Sequence, residues 1–246
     1  MLFAAESGTG PPVVAVHGFT QTGASWAPVV ERLGDHHRFV LVDAPGHGRS
    51  GHVRADLPEG ARLLGEVGGQ GAYVGYSMGA RLCLHLALAR PDLVTALVLI
   101  GVHPGIADLA ERAARHDDDC QLARRLEQEG VAAFVDWWLT RPLFSTLPAA
   151  AAGREERLTN TAAGLASSLR LAGTGAQEPL WARLPELAMP VLVVAGEADA
   201  KFAALGRRAA AAIGHNAELV LIPGAGHACH LERPDQFCRV LAEFLH

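Results

Sequence analysis

Lysine is almost missing from this chain. Lys201 stands alone among 21 cationic residues, and the other twenty are arginine. A guanidinium at any one position is therefore weak evidence that its fork geometry was selected over an ammonium. A basic surplus is missing too. Net charge is −5 and no Lys/Arg-rich run occurs, which argues against a nucleic-acid partner. Long apolar runs are absent: none approaches the roughly 20 residues that span a bilayer, so no membrane insertion is expected. Cys83, Cys120, Cys229 and Cys238 form no CxxC pair and no zinc spacing. They read as free thiols of a reducing compartment. Residues 1–10 carry neither a basic n-region nor a long apolar h-region, so no signal peptide is read there. The expectation is a cytoplasmic protein.

What is present suits one α/β domain. Half of the 246 residues are apolar and 19% are charged, enough to bury a core. Apolar, β-branched runs read as buried strands at Val13–Val16, Phe39–Val42, Ala72–Val74, Thr95–Ile100, Val191–Ala195 and Glu218–Ile222. Several are nearly continuous rather than alternating, as in a parallel sheet covered on both faces. Helical patterns lie between them, at Trp26–Leu33 behind an N-cap at Ser25, at Met78–Ala89, and from Pro234 to the end. The alternation predicts a doubly wound sheet. It breaks over 103–184, where Asp108–Glu129, Val131–Leu139 and Arg154–Leu171 are helical and no strand pattern occurs. This predicts a helical cap inserted into a core made of 1–102 and 185–246.

Gly75-Tyr76-Ser77-Met78-Gly79 is G-x-S-x-G. The pattern alone is weak, since composition gives about 0.08 chance matches in a chain like this. Its context is specific: an apolar strand before it and a helix from Met78 after it. The turn is too tight for a Cβ on either side, and the serine must sit at a strained backbone angle. Ser77 is thus the candidate nucleophile or base, raised at a helix N-terminus where negative charge is favoured. His17-Gly18-Phe19 follows the first strand run, so the Phe19 and Met78 N–H groups are candidate oxyanion donors. A serine needs an acid and a base, in the chain order Ser, acid, His. Asp199 follows Val191–Ala195, and His227 follows Glu218–Ile222 in a Gly-Ala-Gly-His loop. Glu197 rivals Asp199; His215 and His230 rival His227. His47, in Asp43-Ala44-Pro45-Gly46-His47-Gly48-Arg49-Ser50, is assigned to fixing a loop.

The elbow, the HGF loop, DAPGHGRS and GAGH together resemble the α/β-hydrolase superfamily over the whole chain. Further segments narrow the likeness: His103-Pro104-Gly105, Ala113-Ala114-Arg115, Phe134–Trp138, Ser168–Gln177 and Gly196–Phe202. With Gly-Tyr-Ser-Met-Gly-Ala-Arg at the elbow, these resemble the 2-succinyl-6-hydroxy-2,4-cyclohexadiene-1-carboxylate (SHCHC) synthase family of menaquinone biosynthesis. The resemblance implies a carbon–oxygen lyase, which removes pyruvate from an enolpyruvyl cyclohexene (SEPHCHC) by 2,5-elimination. It implies Ser77 as base, activated by His227 and Asp199, with no metal or organic cofactor. It also implies a small polycarboxylate substrate held by Tyr76, Arg81, Arg115, Trp137 and Arg157. Arg157 matches only when a small length difference before Gly164 is allowed. Arg170 is left open between substrate and bracing, and Lys201 has no role beyond bracing the Asp199 loop.

Two other classes compete. A carboxylesterase, lactonase or carbon–carbon hydrolase would use the same triad, but would gain nothing from Arg81 beside the serine. A non-catalytic relative used as a binding module would not need an intact triad. A haloalkane dehalogenase needs a carboxylate where Ser77 stands.

Overall fold

The structure, a computed structural model, describes all residues 1–246. Its centre is a seven-stranded sheet: β1 (Ala4–Ser7), β2 (Pro12–Val16), β3 (Arg38–Val42), β4 (Gly71–Tyr76), β5 (Val94–Ile100), β6 (Val191–Gly196) and β7 (Ala217–Ile222). The spatial order is β1-β3-β2-β4-β5-β6-β7. All neighbours run parallel except β1, which pairs antiparallel with β3. Six of these strands are the six apolar runs predicted from sequence. The seventh, β1, escapes the pattern because Ala-Ala-Glu-Ser is neither alternating nor apolar. As an exposed edge strand it needs no buried face.

Helices cover both faces: α1 (Ala27–Leu33), α2 (Leu57–Gly68), α3 (Met78–Ala89), α7 (Ala200–Ile213), the short α8 (Cys229–Glu232) and α9 (Pro234–Leu245). α2 is capped by Asp56, whose side chain accepts from Glu59 N–H. The predicted cap at Ser25 is displaced. Thr22 is the cap, its side chain accepting from Ala24 N–H, and a 3-10 turn over Gly23–Trp26 leads into α1. Ser25 instead donates back to Thr22 O.

Between β5 and β6 the chain leaves the sheet. Here lie α4 (Leu109–Leu139), α5 (Arg154–Arg157) and α6 (Ala162–Ala172), joined by 3-10 turns. Asp108 caps α4. Gly130 breaks that helix with φ 79° and ψ 170°, so its two parts meet at a kink. α5 and α6 replace the single helix predicted over Arg154–Leu171. Thr161 starts a new N-cap there, accepting from Gly164 N–H. α4 and α6 share a small core of Ala123, Leu126, Phe134, Leu165, Ala166 and Leu169. Each large apolar side chain buried there contributes about 1.5–3 kcal/mol.

The topology positions the site. The chain goes from β2 out to β3 and returns to β4 on the other side of β2. That reversal leaves a crevice at the carboxyl ends of β2 and β4, where the following loops converge.

Candidate active site

Ser77 begins the turn from β4 into α3 with φ 53° and ψ −104°. Its N–H donates to Ile100 O and its carbonyl accepts from Arg81 N–H. The neighbouring glycines are sterically required. A Cβ on Gly75 would lie 2.5 Å from the Gly79 carbonyl carbon, and one on Gly79 would lie 2.1 Å from Val16 O. Those contacts bring β2, β4 and α3 together so closely that the serine is pushed up from the sheet.

His227 Nε2 lies 3.1 Å from Ser77 Oγ, and its Nδ1 lies 2.9 Å from Asp199 Oδ2. A carboxylate only accepts, so Nδ1 carries the proton and Nε2 is free to take one from the serine. Asp199 also caps α7, its Oδ1 accepting from Phe202 N–H at 3.2 Å. The acid is thereby held from two sides. Its loop and the histidine's are pressed together at Gly196, where a Cβ would sit 2.0 Å from Gly226 O. Of the rivals, His215 and Glu197 are exposed. His230 is fully buried between Tyr76 and Trp26, with ring centroids at 4.4 Å and 5.0 Å. Burial pushes its pKa down to about 3, so it stays neutral.

The Phe19 loop is anchored by two buried histidines. His17 Nε2 accepts from Ala44 N–H at 3.0 Å, and His47 Nε2 accepts from Thr20 N–H at 3.3 Å. Each ring donates from Nδ1 to a carbonyl, Gly18 O and Pro45 O respectively. Burial lowers their pKa values to about 4 and about 3. None of the turn, loop and side-chain hydrogen bonds is donated by the Phe19 or Met78 N–H. Phe19, Ser77, Met78 and His227 all line one cavity of about 820 Å³ under α4 and α6. That volume suits a ligand of drug size.

Cations crowd its wall: Arg81, Arg115, Arg125, Arg141 and Lys201, against Asp118 and Asp119. Arg81 is 7% exposed and points one turn beyond Ser77. It donates to Ala172 O at 2.7 Å and Gln177 Oε1 at 3.4 Å, and has no carboxylate partner. Burial lowers its pKa to about 10, with Asp119 acting in opposition.

Residues 13–240 match the Alpha/beta hydrolase family. A Bacillus subtilis (strain 168) protein is 36% identical over 247 residues, 95% of this chain and 89% of its own length; it is provisionally named an SHCHC synthase. An Enterobacter sp. (strain 638) protein carrying that name outright is 32% identical over 96% of this chain and 92% of its own. The chain belongs to the SHCHC synthase family of α/β hydrolases. The MenH structure from S. aureus superposes with a TM-score of 0.91 at 30% identity, covering 99% of this chain and 97% of that one.

The structure of this synthase-family chain separates the residues that the resemblance grouped. Ser77, His227 and Asp199 meet, and Phe19, Met78, Arg81, Arg115 and Trp137 face the same cavity. Two do not. Arg157 is 1% exposed and absent from the cavity wall. It lies behind the Phe19 loop, donating to Ala152 O at 2.7 Å, Phe19 O at 3.3 Å and Thr20 Oγ1. Its neighbour Glu156 accepts from Thr22 N–H at 2.5 Å and Thr22 Oγ at 2.6 Å. Together they tie the segment after β2 to α5. Tyr76 is also buried, its ring 5.3 Å from that of His227, so it backs the base and does not line the pocket.

Arg170 braces the helices, pairing with Glu127 through both terminal nitrogens at 2.6 and 2.7 Å. Arg115 pairs with the fully buried Asp119 at 2.9 Å, which also accepts from Gly175 N–H. Trp137 is flanked by Arg125 at 3.8 Å and Arg141 at 5.0 Å from its ring centre. Sequence reasoning passed over Arg125, Arg141 and His103. The first two are lost among twenty arginines. His103 stands in a quoted motif, but only the tertiary fold turns it into the cavity.

No helix is long and apolar enough to cross a membrane. No group of three or more His, Cys, Asp or Glu side chains is placed to hold a metal ion. The four cysteines are free.

Proposed function

We propose that this chain is an SHCHC synthase, a lyase that eliminates pyruvate from SEPHCHC in menaquinone biosynthesis, and that it works in the cytoplasm. The observation that carries the reading is Arg81. A buried guanidinium without a carboxylate partner, one turn from the serine, is a desolvation penalty unless an anion is bound there. A neutral ester would leave that charge uncompensated. A tricarboxylate would pair with it, bidentately where geometry allows.

The chemistry follows from the hydrogen-bond chain. Ser77 Oγ takes the proton beside the succinyl ketone while His227 Nε2 takes the hydroxyl proton. Asp199 stabilises the imidazolium. The ketone oxygen becomes an enolate, accepting from Phe19 and Met78 N–H. Its electron pair moves through the ring and expels the enolpyruvyl oxygen with the C–O bonding pair. That group takes up a proton and leaves as pyruvate, so no water is consumed. Residues 103–184 act as a cap over a core of 1–102 and 185–246, with Arg115 and Trp137 contributing from the cap to substrate binding.

The test is pyruvate release from freshly made SEPHCHC, beside a panel of neutral p-nitrophenyl esters. Fast release with weak ester cleavage is expected. Fast ester cleavage with no pyruvate above the spontaneous rate would make the chain a hydrolase.

A further inference from the structure

The cavity wall beyond Arg81 holds two more groups that the proposed mechanism does not use, His103 and Lys201. His103 follows β5, and Gly105 N–H donates to its Nδ1 at 3.1 Å. The neutral ring therefore carries its proton on Nε2. Gln177, 1% exposed, ties this histidine to Arg81: its Oε1 accepts from Arg81 at 3.4 Å and its Nε2 donates to His103 O at 3.3 Å. Lys201 stands at the start of α7, in the same wall, with no ion pair. Its ammonium is 5.8 Å from the centre of the Phe202 ring, which in turn packs on His227 at 4.3 Å.

The charges that act on His103 are all positive: Lys201 first, then Arg81, Arg115 and Arg208. Burial first, and these charges after it, hold its pKa down to about 4. No carboxylate acts on His103 in opposition. Asp119 is occupied by Arg115 and Gly175 N–H. Asp199 is occupied by His227 and Phe202 N–H. A neutral donor is thus fixed beside Arg81 and Lys201, neither of which has a carboxylate partner.

We infer that Arg81, His103 and Lys201 form one anion subsite, in which a substrate carboxylate accepts from the guanidinium, the His103 Nε2–H and the ammonium. The inference rests on the lyase reading, and it assigns His103 and Lys201 as binding residues. An anion there gains charge-assisted hydrogen bonds.

Lys201→Gln, His103→Leu and His103→Gln are compared with wild type in two measurements. In pyruvate release from SEPHCHC, Lys201→Gln and His103→Leu raise KM about tenfold, while kcat changes less, as lost ground-state binding requires. His103→Gln keeps an N–H donor and recovers most of the KM. In calorimetric titration with citrate as probe, the same order of affinity is expected. A wild type that releases no pyruvate overturns the lyase reading. Loss of citrate affinity in Lys201→Gln and His103→Leu would still support the subsite in that case. Citrate affinity equal to wild type in both variants, or no citrate binding by wild type, overturns the subsite.

Discussion

Gly101 and His227 share a space that one methyl group would close. Gly101 follows β5 with φ +59°, and a Cβ there would lie 2.9 Å from His227 Cε1 and 3.2 Å from Nδ1. The imidazole is therefore confined between the end of β5 and the rings of Tyr76 and Phe202. Gly101→Ala should tilt the ring away from Ser77 and lower kcat roughly 10- to 100-fold with little change in KM. Its positive φ adds about 1–2 kcal/mol of strain, seen as a lower melting temperature. Steady-state kinetics with a melting curve checks both; wild-type kcat would show that the ring is placed by other contacts.

Ser77→Ala should abolish elimination above background while leaving the fold intact. Alanine keeps the strained backbone at φ 53° and removes only the hydroxyl. Pyruvate release and circular dichroism are the measurements, and retained turnover would remove Ser77 as the base.

Arg81→Met should separate stability from function. It removes a buried charge that has no carboxylate partner, so the melting temperature is expected to hold or rise. It also removes the cation one helical turn beyond the serine, so KM should rise about tenfold or more. An unchanged kcat/KM would take Arg81 out of the substrate site.

Arg157→Met should act differently from Arg81→Met, because Arg157 holds protein and not substrate. Phe19 O, Thr20 Oγ and Ala152 O lose their donor, and the loop carrying the Phe19 N–H loosens. The expected result is a fall in melting temperature and in kcat, with KM changed less than in Arg81→Met. A pure KM effect at full stability would mean that Arg157 reaches the substrate.

Acid should weaken the fold well before the carboxylates titrate. His17 and His47 have folded pKa values of about 4 and about 3, lowered by burial from 6.5. The unfolded chain therefore binds more protons than the native one once pH falls below about 6.5. Stability is full above that value and is lost progressively as pH falls toward 4, by a few kcal/mol for the pair. His85, His103 and His230 add in the same direction. Melting temperatures should hold from pH 7.5 to about 6.5 and fall steadily from there to 4.5. A flat profile would mean that these rings bind protons when folded.

The β-branched runs by themselves determined six strands of the sheet, because buried parallel strands must be apolar along their whole length. The elbow was equally legible, since Gly75, Ser77 and Gly79 answer a local steric demand, and so were Asp199 and His227, placed by chain order after β6 and β7. The short polar edge strand β1 and the Thr22 cap were not, because neither carries an apolar pattern. Nor could sequence tell which arginine faces what. Arg81, Arg157 and Arg170 are chemically alike. Only tertiary packing set Arg81 in the cavity, Arg157 behind the Phe19 loop and Arg170 on Glu127. A guanidinium's role depends on its neighbours, and those are brought from 91, 137 and 43 residues away in the chain.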